Sequence, residues 1–209
     1  MIHRILWLSI YFAVLLWSGI APKDYFTWIL EVLPALIGFT VLAATYRRFP
    51  LTPLAYWLVL AHCVILMIGG HYTYAEVPLF DTLREWFSWQ RNNYDKVGHL
   101  AQGFIPAILA REILLRLDVL CARGWLNFLV ISICLALSAS YEMVEWGVAL
   151  ASGDEAVAFL ATQGDPWDTQ SDIAYALLGA VFALVFLSKW HDRQLARLPA
   201  APSAKNVKL

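Results

Sequence analysis

Six apolar blocks, each close to the length a helix needs to cross about 30 Å of hydrocarbon, dominate this chain. They span about residues 5–20, 26–44, 53–68, 94–115, 125–148 and 169–186, and short polar breaks separate them. With 60% hydrophobic and only 15% charged residues, the chain has too little polar surface for a soluble globule. The expected fold is all-α: a polytopic membrane protein, a bundle of six transmembrane helices. Residues 1–190 are expected to form one transmembrane helical domain, and 191–209 a disordered cytoplasmic tail rich in Ala, Pro, Lys and Arg. The first block is expected to act as a signal anchor, since no Ala-x-Ala site precedes Pro22 and five more blocks follow.

Several function classes lose support at this level. No basic patch with interleaved aromatics lies outside the tail, so nucleic acid is not an expected partner. Cys63, Cys121 and Cys134 are scattered without Cys-x-x-Cys pairing, and read as small apolar fillers rather than a zinc, redox or disulfide framework. The six blocks do not split into two similar halves, which weakens an inverted-repeat transporter. No Gly-x-Ser-x-Gly, phosphate loop or His-Glu-x-x-His occurs.

Orientation follows from the basic residues. With the N-terminus inside, eleven Lys and Arg fall on inner segments and four, Lys23, Arg84, Arg91 and Lys96, on outer ones. Both termini are therefore expected in the cytoplasm. Gly69-Gly70 is expected to end the third helix. In the long connection that follows, Leu79, Phe80, Leu83, Trp86, Phe87 and Trp89 alternate with Asp81, Arg84 and Glu85, the pattern of a short amphipathic helix at the interface.

The chemistry gathers in three stripes. Asp95, His99 and Gln102 share a face of the fourth helix, Ser138, Glu142 and Glu145 a face of the fifth, and Asp165, Asp168, Asp172 and Tyr175 lead into the sixth. At about 1.5 Å per residue, Glu142 lies about 25 Å beyond Trp125, whereas His99 and Asp172 sit near the starts of oppositely running helices. All three stripes should meet in the outer third of the bilayer, where His71 and Glu76 could join them. Six acids face few cations there, mainly Lys96 and Arg91, and buried carboxylates need pairing, protons or a bound cation. Carboxylates with imidazole suit a divalent metal ion. The expected ligands are His99, Glu142, Asp168, Asp172 and His71, with Glu145 or Asp95 as general base. A purely hydrogen-bonded polar network is the plainer alternative. Asp165 reads as a solvated cap, His62 as a core histidine, and Arg111, Glu112 and His191 as residues without a site of their own.

The expected function is metal-assisted hydrolysis or transfer on a lipid-linked or envelope substrate, with membrane lipid as the surrounding partner. A small ion- or proton-coupled transporter and a non-catalytic membrane component are the alternatives. Residues 105–110, 126–135 and 176–184 are almost wholly apolar, so any pocket should be a dead end.

Four segments carry a resemblance: Gly69-Gly70-His71-Tyr72-Thr73-Tyr74, Arg91-Asn92-Asn93-Tyr94-Asp95-Lys96-Val97-Gly98-His99, Tyr141-Glu142-Met143-Val144-Glu145-Trp146, and Asp165-Pro166-Trp167-Asp168-Thr169-Gln170-Ser171-Asp172. Through them the chain resembles the YjdF family of bacterial inner-membrane proteins, which implies location and topology but no reaction. It is more weakly similar to VanZ-like proteins, whose order of Asp-Lys with His, then Glu, then Asp before a Gly-containing helix is met by Asp95-Lys96 with His99, Glu142, and Asp168 or Asp172 before Gly179. It departs from that pattern at Glu145, where Gln is usual, and no Asn is evident in the last helix.

Overall fold

A computed structural model describes residues 2–120, 122–152 and 162–199. Among the described residues the chain is all-helical: α1 (Ile2–Ser18), α2 (Tyr25–Thr45), α3 (Pro53–Tyr72), α4 (Pro78–Phe87), α5 (Tyr94–Arg116), α6 (Leu126–Ser152) and α7 (Asp168–Leu195). A short 3-10 turn, Arg123–Trp125, leads into α6. Four segments are long and apolar enough to cross a membrane: α2, α3, the stretch Arg123–Ser152 and α7. The helix α1 is apolar but has 17 residues. The helix α5 has 23 residues but carries Asp95, Lys96, Arg111, Glu112 and Arg116.

Local chemistry sets the ends. Asp24 accepts from the Thr27 N–H at 2.6 Å and caps α2, while Thr52 caps α3 ahead of Pro53. The Gly69-Gly70 pair does not end α3. The helix continues to Tyr72, where Thr73 in the left-handed conformation closes it by donating its N–H to the Gly69 carbonyl. The glycines serve packing instead. A Cβ on Gly69 would overlap the Tyr74 ring, and one on Gly70 would press on Glu31 and Val32 of α2.

The closest packing in the bundle joins α5 to α7. A Cβ on Gly103 would run into the Ala176 carbonyl, and one on Gly179 into the Leu100 carbonyl and Phe104 N–H. Small residues there let two backbones touch, which is how helices associate where the lipid supplies no hydrophobic drive. Ala107, Ile108, Val130, Cys134, Ala180 and Ala183 then fill the core below. A second apolar cluster, with Tyr11, Val32, Ala35, Leu60, Cys63 and Met67, joins α1, α2 and α3. Trp7 and Tyr11 of α1 stack on Phe39 of α2. Cys63 and Cys134 are buried free thiols; Cys121 falls outside the described residues.

The end of α5 opposite the acidic stripes holds a buried polar knot. Glu112, fully buried, accepts from the Thr52 N–H at 2.9 Å, the Thr52 hydroxyl at 2.7 Å, Arg116 at 2.9 Å and His191 at 3.1 Å. Arg111 contacts His191 Nδ1 at 3.0 Å and donates to Asp192 at 2.7 Å. Gln194 accepts from the Leu54 N–H at 2.9 Å. These bonds correct two expectations. Residues 191–195 belong to α7 rather than to a disordered tail, because their polar side chains are gripped by α3 and α5. Glu112 and His191, expected near the inner end of the fourth helix and in the tail, are instead core groups. Residues 200–209 fall outside the described part.

If the α5–α7 contact is backbone-limited, Gly103→Ala and Gly179→Ala should each destabilise the detergent-purified protein by about 1–3 kcal/mol. Gly147→Ala, where nothing lies within 4 Å of the added Cβ, should be neutral or stabilising by up to about 1 kcal/mol. Thermal or chemical denaturation of the three variants checks the ranking.

Candidate functional site

The α5–α7 contact sets the acidic turns of both helices side by side, and the first turn of α5 supplies the cations. Lys96 donates to Asp168 at 2.7 Å and Asp172 at 2.6 Å, both on α7, and lies 3.4 Å from Asp95. Arg91, just before α5, reaches Asp168 at 2.5 Å, Asp95 at 3.4 Å and Asp165 at 3.4 Å. All but Asp165 are largely buried, so removing one partner would leave an uncompensated buried charge and cost more than breaking a surface ion pair.

The approach to α5 is fixed by Asn92, which is fully buried. Its backbone N–H donates to Gln163 Oε1 at 3.0 Å, and Gln163 Nε2 donates back to the Asn92 carbonyl at 2.9 Å. The Asn92 side chain donates to the Val77 carbonyl at 3.1 Å and accepts from the Tyr94 N–H at 3.1 Å. One residue thus ties the start of α4, the start of α5 and the turn before α7. Asp165 accepts from the Trp167 N–H at 2.9 Å in that turn, in addition to Arg91.

His99 lies one turn deeper. Its Nε2 is 3.3 Å from Asp95 Oδ1 and 3.8 Å from Asp172 Oδ1. Its Nδ1 is 2.9 Å from Gln102 Oε1 and 3.8 Å from Glu142 Oε1. Both ring nitrogens therefore face oxygens. A doubly protonated ring satisfies that geometry, and so does a ring that gives its Nε2 lone pair to a cation shared with the carboxylates. One ligand atom from each of Asp95, His99 and Asp172 lies within 4.8 Å of the others, a spacing that one cation could bridge. Glu142 is 8% exposed, and its Oε1 has no hydrogen-bond partner among the described residues. Ser138, on the same face of α6 and also buried, has an unpartnered hydroxyl.

Beside this cluster lies a cavity of about 80 Å³, room for several water molecules. Asp95, His99 and Gln102 of α5 form one wall and Tyr141 and Glu145 of α6 another; Glu31 of α2, His62 of α3 and Tyr74 complete it. The helices α2 and α6 scarcely touch across it. Their recorded bond is from the Tyr141 hydroxyl to Glu31 Oε2, at 3.2 Å.

The expected residues are thus sorted. Asp95, His99, Glu142, Asp168 and Asp172 converge, but Asp168 is taken up by Arg91 and Lys96. Glu145 lines the cavity. His71 is directed elsewhere: its Nδ1 lies 3.0 Å from the Ser18 carbonyl and its ring packs on Trp17, because the extra turn of α3 carries it toward α1. Glu76 pairs with Lys23. Tyr175 is 39% exposed and leaves its stripe. Glu31 has no signal in the sequence, being one acid within an apolar block. Tyr74 and Tyr141 also become visible only through the fold.

The chain belongs to the family described as "Predicted membrane protein (DUF2238)", which matches residues 3–193. It is 51% identical over 184 residues, 88% of either chain, to the Inner membrane protein YjdF of Escherichia coli (strain K12). The likeness to the YjdF family is therefore real, whereas no match to VanZ-like proteins accompanies it, and this is a membrane protein. No solved structure matches it.

Removing the cluster's central cation should be costly. Lys96→Met would leave Asp168 and Asp172 short of a partner and is expected to cost about 3 kcal/mol or more, read as loss of thermal stability in detergent. A loss below about 1 kcal/mol would show that the acids are neutralised by something other than Lys96.

Proposed function

We propose that this protein spans the bacterial inner membrane six times, with both termini in the cytoplasm, and that its outer half holds a divalent-cation centre. The observation that carries the centre is the convergence of Asp95, His99 and Asp172 within 4.8 Å. Glu142, whose Oε1 lies 3.8 Å from His99 Nδ1, on the other ring edge from Asp95 and Asp172, supports it as a further negative charge beside the ion rather than as one of its ligands. Gln102, at the other ring nitrogen, would orient His99 as a supporting hydrogen-bond acceptor does at metal-bound histidines. A bound divalent ion supplies Lewis-acid polarisation of an ester or phosphoryl oxygen.

The other roles belong to this chain's own groups. Glu145 lines the cavity, so it is the group we assign to proton exchange with a water there. Asp95 stands among the ligands, which removes it from that role. Lys96 and Arg91 hold Asp168 and Asp172 in place and balance their charge. The reaction class is hydrolysis or group transfer on a lipid-linked envelope substrate. A transport role lacks a path, because the Ala107, Ile108, Val130, Ala180 and Ala183 core lies beneath the site. The helix α4, with no buried residue, would lie at the outer interface as an amphipathic segment.

A second reading is favoured by the 2.6 Å contact of Lys96 with Asp172: the ammonium is itself the cation of a structural network. The two separate cleanly. For a metal centre, elemental analysis of detergent-purified protein should find a stoichiometric divalent metal in the wild type and lose it in His99→Ala. A strong chelator should lower the wild-type melting temperature but not that of Glu142→Gln, which should still insert and purify as one species. Equal melting of both proteins with and without chelator leaves the structural network.

For the topology, reporter fusions should place both termini inside and the 152–163 connection outside. A cytoplasmic signal from that connection would reverse the orientation and the side on which the site opens.

A further inference from the structure

At the end of the bundle opposite the acidic site, a groove of about 720 Å³ opens between the start of α1, the end of α2 and the start of α3, with Leu198, just beyond α7, also lining it. Its size falls within the range of sites that bury small ligands. Leu8, Phe39, Leu42 and Trp57 give it an apolar wall, and His3 and Arg4 stand at its mouth. The helices α1 and α2 meet in the Trp7–Tyr11–Phe39 stack, which closes the groove toward the middle of the bundle. Trp7 is held by donating its indole N–H to the Tyr56 carbonyl at 2.8 Å. Arg4 lies 4.8 Å from the centre of the Tyr46 ring, so its guanidinium is anchored over the groove rather than swinging free. Arg47 and Arg48 follow in the turn after α2.

A groove that is apolar along its length and cationic at one rim matches one occupant in a bilayer: an anionic glycerophospholipid, its acyl chain between α1 and α2 and its phosphate at Arg4 and His3. A zwitterionic lipid would fill the same apolar length but bring a compensating positive charge to a rim that is already basic. We propose that this groove is a specific site for an anionic phospholipid, separate from the acidic centre and independent of what that centre does. The Arg4–Tyr46 contact makes the guanidinium a fixed phosphate partner. Basic residues near a membrane surface contribute about 1 kcal/mol each toward anionic lipid.

The test uses the full-length protein in a neutral detergent. Palmitoyl-oleoyl phosphatidylglycerol should raise its melting temperature with saturation, and palmitoyl-oleoyl phosphatidylcholine should not. Arg4→Gln should weaken the phosphatidylglycerol midpoint about fivefold, each midpoint being read against that protein's own lipid-free melting temperature. Ala43→Trp, which fills the groove from α2 and leaves the rim charge intact, should remove the response. Equal effects of the two lipids, or a phosphatidylglycerol response that survives Ala43→Trp, would overturn the proposal. So would a wild type that ignores phosphatidylglycerol but answers to it once residues 200–209 are deleted, since the groove would then belong to the chain's own tail.

Discussion

Backbone contact between α5 and α7 is the constraint from which the rest of the structure follows. Two helices can approach this closely only where Gly103 and Gly179 omit their side chains, and the contact fixes the rotation of both helices as well as their spacing. With that rotation set, Asp95, Lys96 and His99 on one helix face Asp168 and Asp172 on the other, because His99 and Lys96 lie about one and two turns from Gly103, and Asp172 and Asp168 about two and three turns from Gly179, on the glycines' own faces. The same pairing carries to the far end, where Arg111 and Glu112 meet His191 and Asp192. Two polar knots are thus held at opposite ends of one apolar seam.

Charge accounting separates the two knots. At the far end, Glu112 gathers donors from a hydroxyl, a backbone N–H, an imidazole and a guanidinium, and its two oxygens are saturated. With its acid fully paired, the group reads as a structural lock. At the near end, Asp95, Asp168 and Asp172 share Lys96 and Arg91, while Glu142 Oε1 is left without a hydrogen bond and Glu145 opens onto the cavity. Buried acids left short of donors are expensive in a membrane, and such shortfalls mark sites that take up a proton or an ion.

The sequence made the helices legible because hydrocarbon thickness sets a length that few other constraints impose; most of the block boundaries fall within a few residues of the observed ends. The ends that moved are those where a polar residue is buried by a partner the sequence does not display. The nine residues added to α7 contain His191 and Gln194, whose partners sit on α5 and α3. Gly69-Gly70 looked like a stop because glycine weakens helices, but here the pair makes room for Tyr74 and for α2. The acidic stripes were visible through their i, i+4 spacing, and depth arithmetic was enough to set them at one level. Pairing was not visible: nothing in the spacing says that Asp168 goes to Lys96 and Arg91, or that Asp95 and Asp172 flank His99. Glu31 and His71 fail for opposite reasons. One is an isolated acid in an apolar run that the fold turns inward, and the other is a chemically suitable histidine that one extra helical turn carries away.

The sparse tie between α2 and α6 bears on how anything reaches the cavity. A hydrogen bond of the Tyr141–Glu31 kind contributes about 1 kcal/mol net, which corresponds to a factor of about five in population. Each helix is held by other neighbours, α2 by α3 and α6 by α5 and α7, so any sideways approach to the cavity lies between two separately anchored helices. Solutes dissolved in the bilayer would meet such an approach directly and are already concentrated and oriented by the membrane. Encounter there is diffusion in two dimensions, and its frequency follows the solute's mole fraction in the leaflet rather than its concentration in water.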